Sequence, residues 1–160
     1  MRDGGTRNRN GTTLVDRAWR LALRAAYPLL VWFEDRTGRR QPAAVVAVWH
    51  GGRLLVVRHS YRTGDELPGG ALRRGETPRA AAARELREET GIAADPADLV
   101  PFATMGVQPG VVLKTIYEYR PRHRPTLRID NREIVEAVFL DPDEIGDPTS
   151  VLRRYLKSAR

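Results

Sequence analysis

Residues Thr77 to Gly91 read TPRAAAARELREETG, a segment that fixes both of its own ends. The Thr77 hydroxyl can cap the first turn, Pro78 occupies the first helical position, and Gly91 stands where a left-handed residue closes a helix. Most of the residues between are strong helix formers. The segment therefore predicts a helix with little freedom in its boundaries, and strand-forming text lies on both sides of it. Ala43 to Trp49 and Arg53 to His59 are apolar or β-branched runs separated by His50-Gly-Gly52, the signature of a hairpin. Leu99 to Val107, Val111 to Tyr119 and Ile134 to Leu140 predict further strands. Gln108-Pro-Gly110 reads as a turn, and Asp147-Pro-Thr-Ser-Val-Leu opens a short helix through about Lys157. Strands around one central helix, with helices at both ends, make an α/β or α+β domain.

The chain has 160 residues, enough for one core and an extension. We divide it into a basic tail over 1–12, expected to be disordered, an amphipathic helix and linker over 13–40, and a domain over 41–160. In the second part Leu14, Ala18, Leu21, Ala22, Ala25, Leu29 and Trp32 recur at spacings of three and four, while Arg17, Arg20 and Arg24 share another face. Pro28 is expected to bend or interrupt this helix. Two placements follow. Either it packs on the body or on a second subunit, making a homodimer, or residues 14–33 lie in a membrane interface with the arginines at the headgroups. The run Ala25 to Phe33 is too short to span a bilayer, and Glu34-Asp-Arg36 replaces the small residues of a signal cleavage site. With no cysteine in the chain, a cytoplasmic location, peripheral to the membrane on the second reading, is the expectation. Net charge is +7, but Met1 to Arg40 holds nine arginines against four acids, so the extension carries +5 of it and the body only +2. A nucleic-acid partner is accordingly disfavoured.

The central helix carries a charge pattern that needs explaining. At 100° per residue Glu85, Glu88 and Glu89 project into one sector roughly 100° wide, with only Pro78, Ala81 and Ala82 beneath them. Arg84 and Glu88 form a favourable pair four residues apart, whereas Glu85 and Glu89 repel each other at the same spacing. A hard divalent cation taking carboxylate oxygens would compensate, and Mg²⁺ leaves positions open to substrate phosphates. Leu67-Pro-Gly-Gly70 upstream lets backbone approach a ligand, and Glu76 can brace the helix start or the glutamates.

Together Gly70, Glu76, Arg84, Glu85, Leu86, Glu88, Glu89, Gly91 and Ile92 occupy every fixed place of the signature of the Nudix hydrolases, MutT-like pyrophosphohydrolases. Seven invariant letters would coincide by chance on the order of once in 10⁸ starting points. A looser likeness extends over about Ala43 to Ile145, including Asn131-Arg-Glu-Ile-Val-Glu136; the first forty residues lie outside it. The resemblance implies an α/β/α sandwich around a mixed sheet and hydrolysis of a nucleoside diphosphate linked to another group, with Mg²⁺ or Mn²⁺. It also implies Glu85, Glu88 and Glu89 as metal ligands, the Gly70 carbonyl as a further ligand, Arg84 as their orienting cation and Glu76 as a brace. Glu85, Glu118, Glu133 and Glu136 remain open as general base. Glu136 belongs with the catalytic candidates because it falls in the matching downstream segment, as Glu133 does. Arg58, Arg62 and Gly69 are candidates for substrate contact, with Arg53 and Tyr61 nearby. His50, His59 and His123 show no ligand spacing and read as packing or surface residues. The alternatives are removal of phosphate from RNA 5′ ends, and a non-catalytic nucleotide-binding or membrane-associated module.

Overall fold

A computed structural model describes residues 13–37, 41–106, 113–129 and 131–159. The expected tail over 1–12, the turn at Gln108 to Gly110 and the start of the strand at Val111 lie outside these residues. In chain order the elements are α1 (Leu14–Thr37), β1 (Ala43–His50), β2 (Arg53–His59), β3 (Gly69–Ala71), α2 (Pro78–Thr90), β4 (Val100–Gly106), β5 (Leu113–Tyr119), β6 (Ile134–Leu140) and α3 (Ser150–Ser158).

The strands form one mixed sheet in the order β4-β5-β1-β2-β6, with β3 paired to β1 off this path. Among the strands of the described residues, only β1 and β5 pair in parallel. The continuous apolar run of β1 is explained by burial on both faces. Ala44, Val46 and Val48 pack with Leu86 and the alanines of α2, while Val45 and Ala47 pack with Val151, Leu152 and Tyr155 of α3. The result is a sandwich of helix, sheet and helix. Trp49 Nε1 donates to Tyr155 Oη at 2.6 Å, and that hydroxyl donates to Glu118 Oε1 at 2.5 Å, which ties α3 to the sheet.

Between β1 and β2 the sheet forks. The two strands pair only at their hairpin end, Trp49 with Leu54 and His50 with Arg53. Into the fork runs the segment Glu66 to Ala71. Glu66 exchanges both backbone hydrogen bonds with Val57, and β3 pairs with Ala43 to Val45. Gly69 has φ +148°, and a Cβ there would fall 2.2 Å from the Ala44 carbonyl oxygen. Only glycine fits this close approach. The strand β3 escapes a pattern search because three residues are too few to show alternation.

Both ends of α2 form as its sequence dictates: Thr77 Oγ1 accepts from Ala80 N at 3.2 Å, and Gly91 is left-handed with φ 76°. Ala81 and Ala82 are fully buried, so the helix lies close to the sheet. The first helix is continuous through Pro28, so of the two expected effects of that proline an interruption does not occur. It also meets the body with its polar side: Arg20 Nε donates to Asn131 O at 2.7 Å, Arg24 Nε donates to Ser60 O at 2.8 Å, Asp16 pairs with Arg132, and the Tyr27 ring lies 4.8 Å from that of Tyr61. Among the described residues no helix is long and apolar enough to cross a membrane.

Candidate functional site

The last two turns of α2, the segment in the fork, the end of β2 and the approach to β6 meet at one place. Arg84 organises its outer part. Its Nε and Nη2 grip the two oxygens of Glu76 at 2.9 Å each, Nη1 reaches Glu85 Oε1 at 2.6 Å and Glu88 Oε2 at 3.1 Å, and Nη2 also donates to Ala71 O at 3.1 Å. Glu76 accepts the Arg73 N–H as well, at 2.9 Å. The Arg84 guanidinium, with this backbone donor second, holds the Glu76 carboxyl down at about 2. Arg73 adds a cation 3.1 Å from Glu88. The glutamates are thus less bare of basic partners than spacing along the helix suggests, because Arg84 turns back to its own neighbour and Arg73 arrives from outside the helix.

The inner part is different in kind. Glu89 is only 7% exposed. Its Oε2 accepts the Gly69 N–H at 2.9 Å, and its Oε1 lies 3.4 Å from His59 Nε2. Burial pushes the Glu89 carboxyl well above the usual range; the Gly69 N–H opposes this, and the nearby charges of Glu85 and Glu133 reinforce it. Burial likewise raises Glu85, against the pull of Arg84. His59 is driven the other way, down to about 4, by burial and then by the Arg62 cation. Acid and imidazole therefore face each other with both favouring their neutral forms. Ligand atoms of His59, Glu89 and Glu133 lie within 4.8 Å of one another.

Gly70 closes the other side. A Cβ on it would stand 2.7 Å from the Glu85 carboxyl carbon, so this backbone lies directly against the carboxylate. Glu133 is reached by the Tyr61 hydroxyl at 2.8 Å, and its carbonyl accepts the Ser60 N–H at 2.8 Å. Arg62 contacts Glu66 at 2.7 Å and the His59 ring nitrogen Nε2 at 3.1 Å. Among the described residues, Arg62 Nε and Ser60 Oγ are buried polar side-chain atoms with no hydrogen-bond partner. Lys114, on β5, is lowered by burial and interacts electrostatically with Glu66, Arg62 and Glu89, which puts it at the same place.

The sequence candidates are therefore distributed as follows. Gly69, Gly70, Glu76, Arg84, Glu85, Glu88 and Glu89 gather around one cluster, joined by Arg62. Arg58 and Glu136 sit beside each other on β2 and β6, ion-paired at 2.9 Å, with Arg58 also bound to buried Asp65 at 2.6 Å. Glu118 lies apart, with Tyr155. His59 and Lys114 come to the site without any sequence spacing to announce them. Lys114 did leave a trace, being one of only two lysines beside 25 arginines. A cavity of about 970 Å³ near the C-terminus of α2, lined by Arg120, Arg122 and His123 among others, takes in Glu118 but none of the glutamates of α2.

Comparison with known proteins bears on the family and the fold. The family model of the NUDIX domain matches residues 39–158. A MutT-like protein of Streptomyces ambofaciens is 46% identical over 104 residues, which is 65% of this chain and 65% of that protein. An ADP-ribose pyrophosphatase of Bacillus subtilis (strain 168) is 31% identical over 106 residues, 64% of this chain and 56% of the relative. The chain thus spans less than two thirds of the length of these curated relatives. Among solved structures, a MutT NUDIX hydrolase from Burkholderia pseudomallei matches with a TM-score of 0.67 at 20% identity, covering 76% of this chain and all of the other; at that identity the likeness is one of fold. Every fixed letter of the signature and a family match over most of its length show that the chain belongs to the NUDIX family.

Proposed function

We propose that the chain hydrolyses a pyrophosphate bond in a nucleoside diphosphate linked to a further group, with Mg²⁺ or Mn²⁺ bound at the glutamates. One observation carries the reading: Glu89 is buried beside Glu85, Glu133 and His59, with one backbone N–H for compensation. A buried cluster of like charges is costly unless paired. The donors on α2 are carboxylate oxygens, which suit Mg²⁺ or Mn²⁺. The backbone of Gly70 against Glu85 forms a cradle that a methyl group would fill. Glu85, Glu88 and Glu89 would hold the cation, with the Gly70 carbonyl. When bound, such a cation neutralises phosphate charge and lowers the pKa of water.

The remaining work falls to the chain itself. Arg84 locks Glu76, Glu85 and Glu88 into one rigid unit, so the carboxylates need no reorganisation as substrate arrives. Glu133, steadied by Tyr61, is our choice for the group that accepts the proton of the attacking water. Arg62, with an unpartnered Nε, and Lys114 supply cations for the substrate phosphates. The name of the Bacillus subtilis relative supports a nucleotide sugar as substrate class.

The test is a panel of nucleoside diphosphate derivatives assayed with Mg²⁺ and with Mn²⁺ from neutral to alkaline pH. Expected are turnover of at least one compound and a loss of about 10²-fold or more in Glu89→Gln with its circular dichroism unchanged. An unaltered rate in that variant would reject the reading.

A further inference from the structure

The first helix meets the body with the wrong face for a helix that packs by apolar burial. Asp16, Arg20, Arg24 and Tyr27 turn inward. Outward point Leu14, Val15, Trp19, Leu21, Leu29 and Trp32, each between 52% and 81% exposed. So large an apolar strip on the surface marks a site of interaction. Charge argues about its occupant. Arg20 and Arg24 are committed to carbonyls of the body, so among the described residues this side offers only Arg17 and, near its end, Arg36. That is sparse provision for anionic headgroups.

Shape argues further. Along the middle of the outward face run Val15, Ala18, Ala22, Ala25, Leu29 and Trp32, with spacings alternating between three and four. This alternation is the seam of a two-helix contact. The pattern is also self-complementary in reverse: large residues stand at both ends and alanines in the middle. Antiparallel pairing about an axis between Ala22 and Ala25 sets Val15 against Trp32, Ala18 against Leu29 and Ala22 against Ala25. The alanine waist allows the two axes to approach to about 8 Å. A twofold axis uses one patch on both partners, and this patch meets that condition. The 24-residue helix is about 36 Å long, and the paired strips would bury roughly 600 Å² on each copy, within reach of the smallest specific interfaces.

We infer that the outward face of α1 is covered by α1 of a second copy of this chain, packed antiparallel about a twofold axis between Ala22 and Ala25. The inference does not depend on the catalytic reading, and its test involves no substrate. Sedimentation velocity of the full chain at tens of micromolar should give twice the 18.0 kDa mass of one chain. The Leu29→Glu variant should sediment as a single chain with its thermal transition retained. A single-chain mass for the unmodified protein, or a dimer indifferent to Leu29→Glu, would overturn the inference. Since the chain has no cysteine, orientation can be read separately. Ala22→Cys, near the axis, should cross-link to itself on mild oxidation. Val15→Cys should not, because antiparallel packing puts the two copies of that residue roughly 25 Å apart. Equal cross-linking of both would mean parallel helices and defeat the proposal. So would a monomer that floats with vesicles of phosphatidylcholine and phosphatidylglycerol, since the occupant would then be a lipid surface.

Discussion

Adjacent glycines in the fork of the sheet have different reasons to be glycine. At Gly69 a methyl group would strike backbone, 2.2 Å from Ala44 O and 2.6 Å from Val45 Cα, neither of which can move without opening the sheet. Gly69→Ala should therefore destabilise by about 2 kcal/mol or more, read from urea unfolding. At Gly70 the methyl would meet the mobile end of the Glu85 side chain, at 2.7 Å. Gly70→Ala should leave stability within about 1 kcal/mol of the parent, while hydrolysis falls about tenfold or more through displacement of that carboxylate. The pair of variants separates a folding role from a role in the site. Glu89 adds a third contrast. Its carboxyl is raised by burial, so at neutral pH its charge opposes folding in the absence of metal. Glu89→Gln should keep or raise the melting temperature in chelator yet lose the increase that Mn²⁺ gives the parent, as differential scanning fluorimetry would show.

Among the elements, α2 works as a rigid carrier because Arg84 is bonded in several directions at once. A lysine there could not reproduce the two-pronged grip on Glu76, so Arg84→Lys should depress turnover nearly as far as Arg84→Ala in a steady-state assay. The Arg84–Glu76 pair also has a pH signature. Glu76 is held down at about 2 from an ordinary value of 4.5. A depressed acid contributes stability above its unfolded value and loses it as pH falls through the folded one. The melting-temperature gap between the parent and Glu76→Gln should accordingly be full at pH 6, shrink below about 4.5 and vanish near 2, as a series of thermal melts would reveal.

For the whole molecule, the loops that carry Tyr61, Arg62 and Glu133 are held from behind by α1 through Arg24 and Arg20. Arg24→Ala should speed amide hydrogen exchange at residues 60–62 while leaving α2 protected, a pattern visible by exchange mass spectrometry. This dependence of the site on α1 was not legible in the chain, although the amphipathic pattern of the helix itself was. Local chemistry determined a great deal: Thr77, Pro78 and Gly91 fix the central helix within its own span, and the positions of Glu85, Glu88 and Glu89 on one side of it follow from helical geometry alone. The apolar run of β1 likewise announced a strand, and the glycines after it a hairpin. Contacts between distant segments were decided only by the fold. His59 and Lys114 join the glutamates because the sheet brings β2 and β5 to the end of α2, and β3 exists because a short loop wedges between diverging strands. Nothing in periodicity could say which side of α1 would turn inward, since its partners on the body, the carbonyls of Ser60 and Asn131 with Arg132 and Tyr61, lie far along the chain.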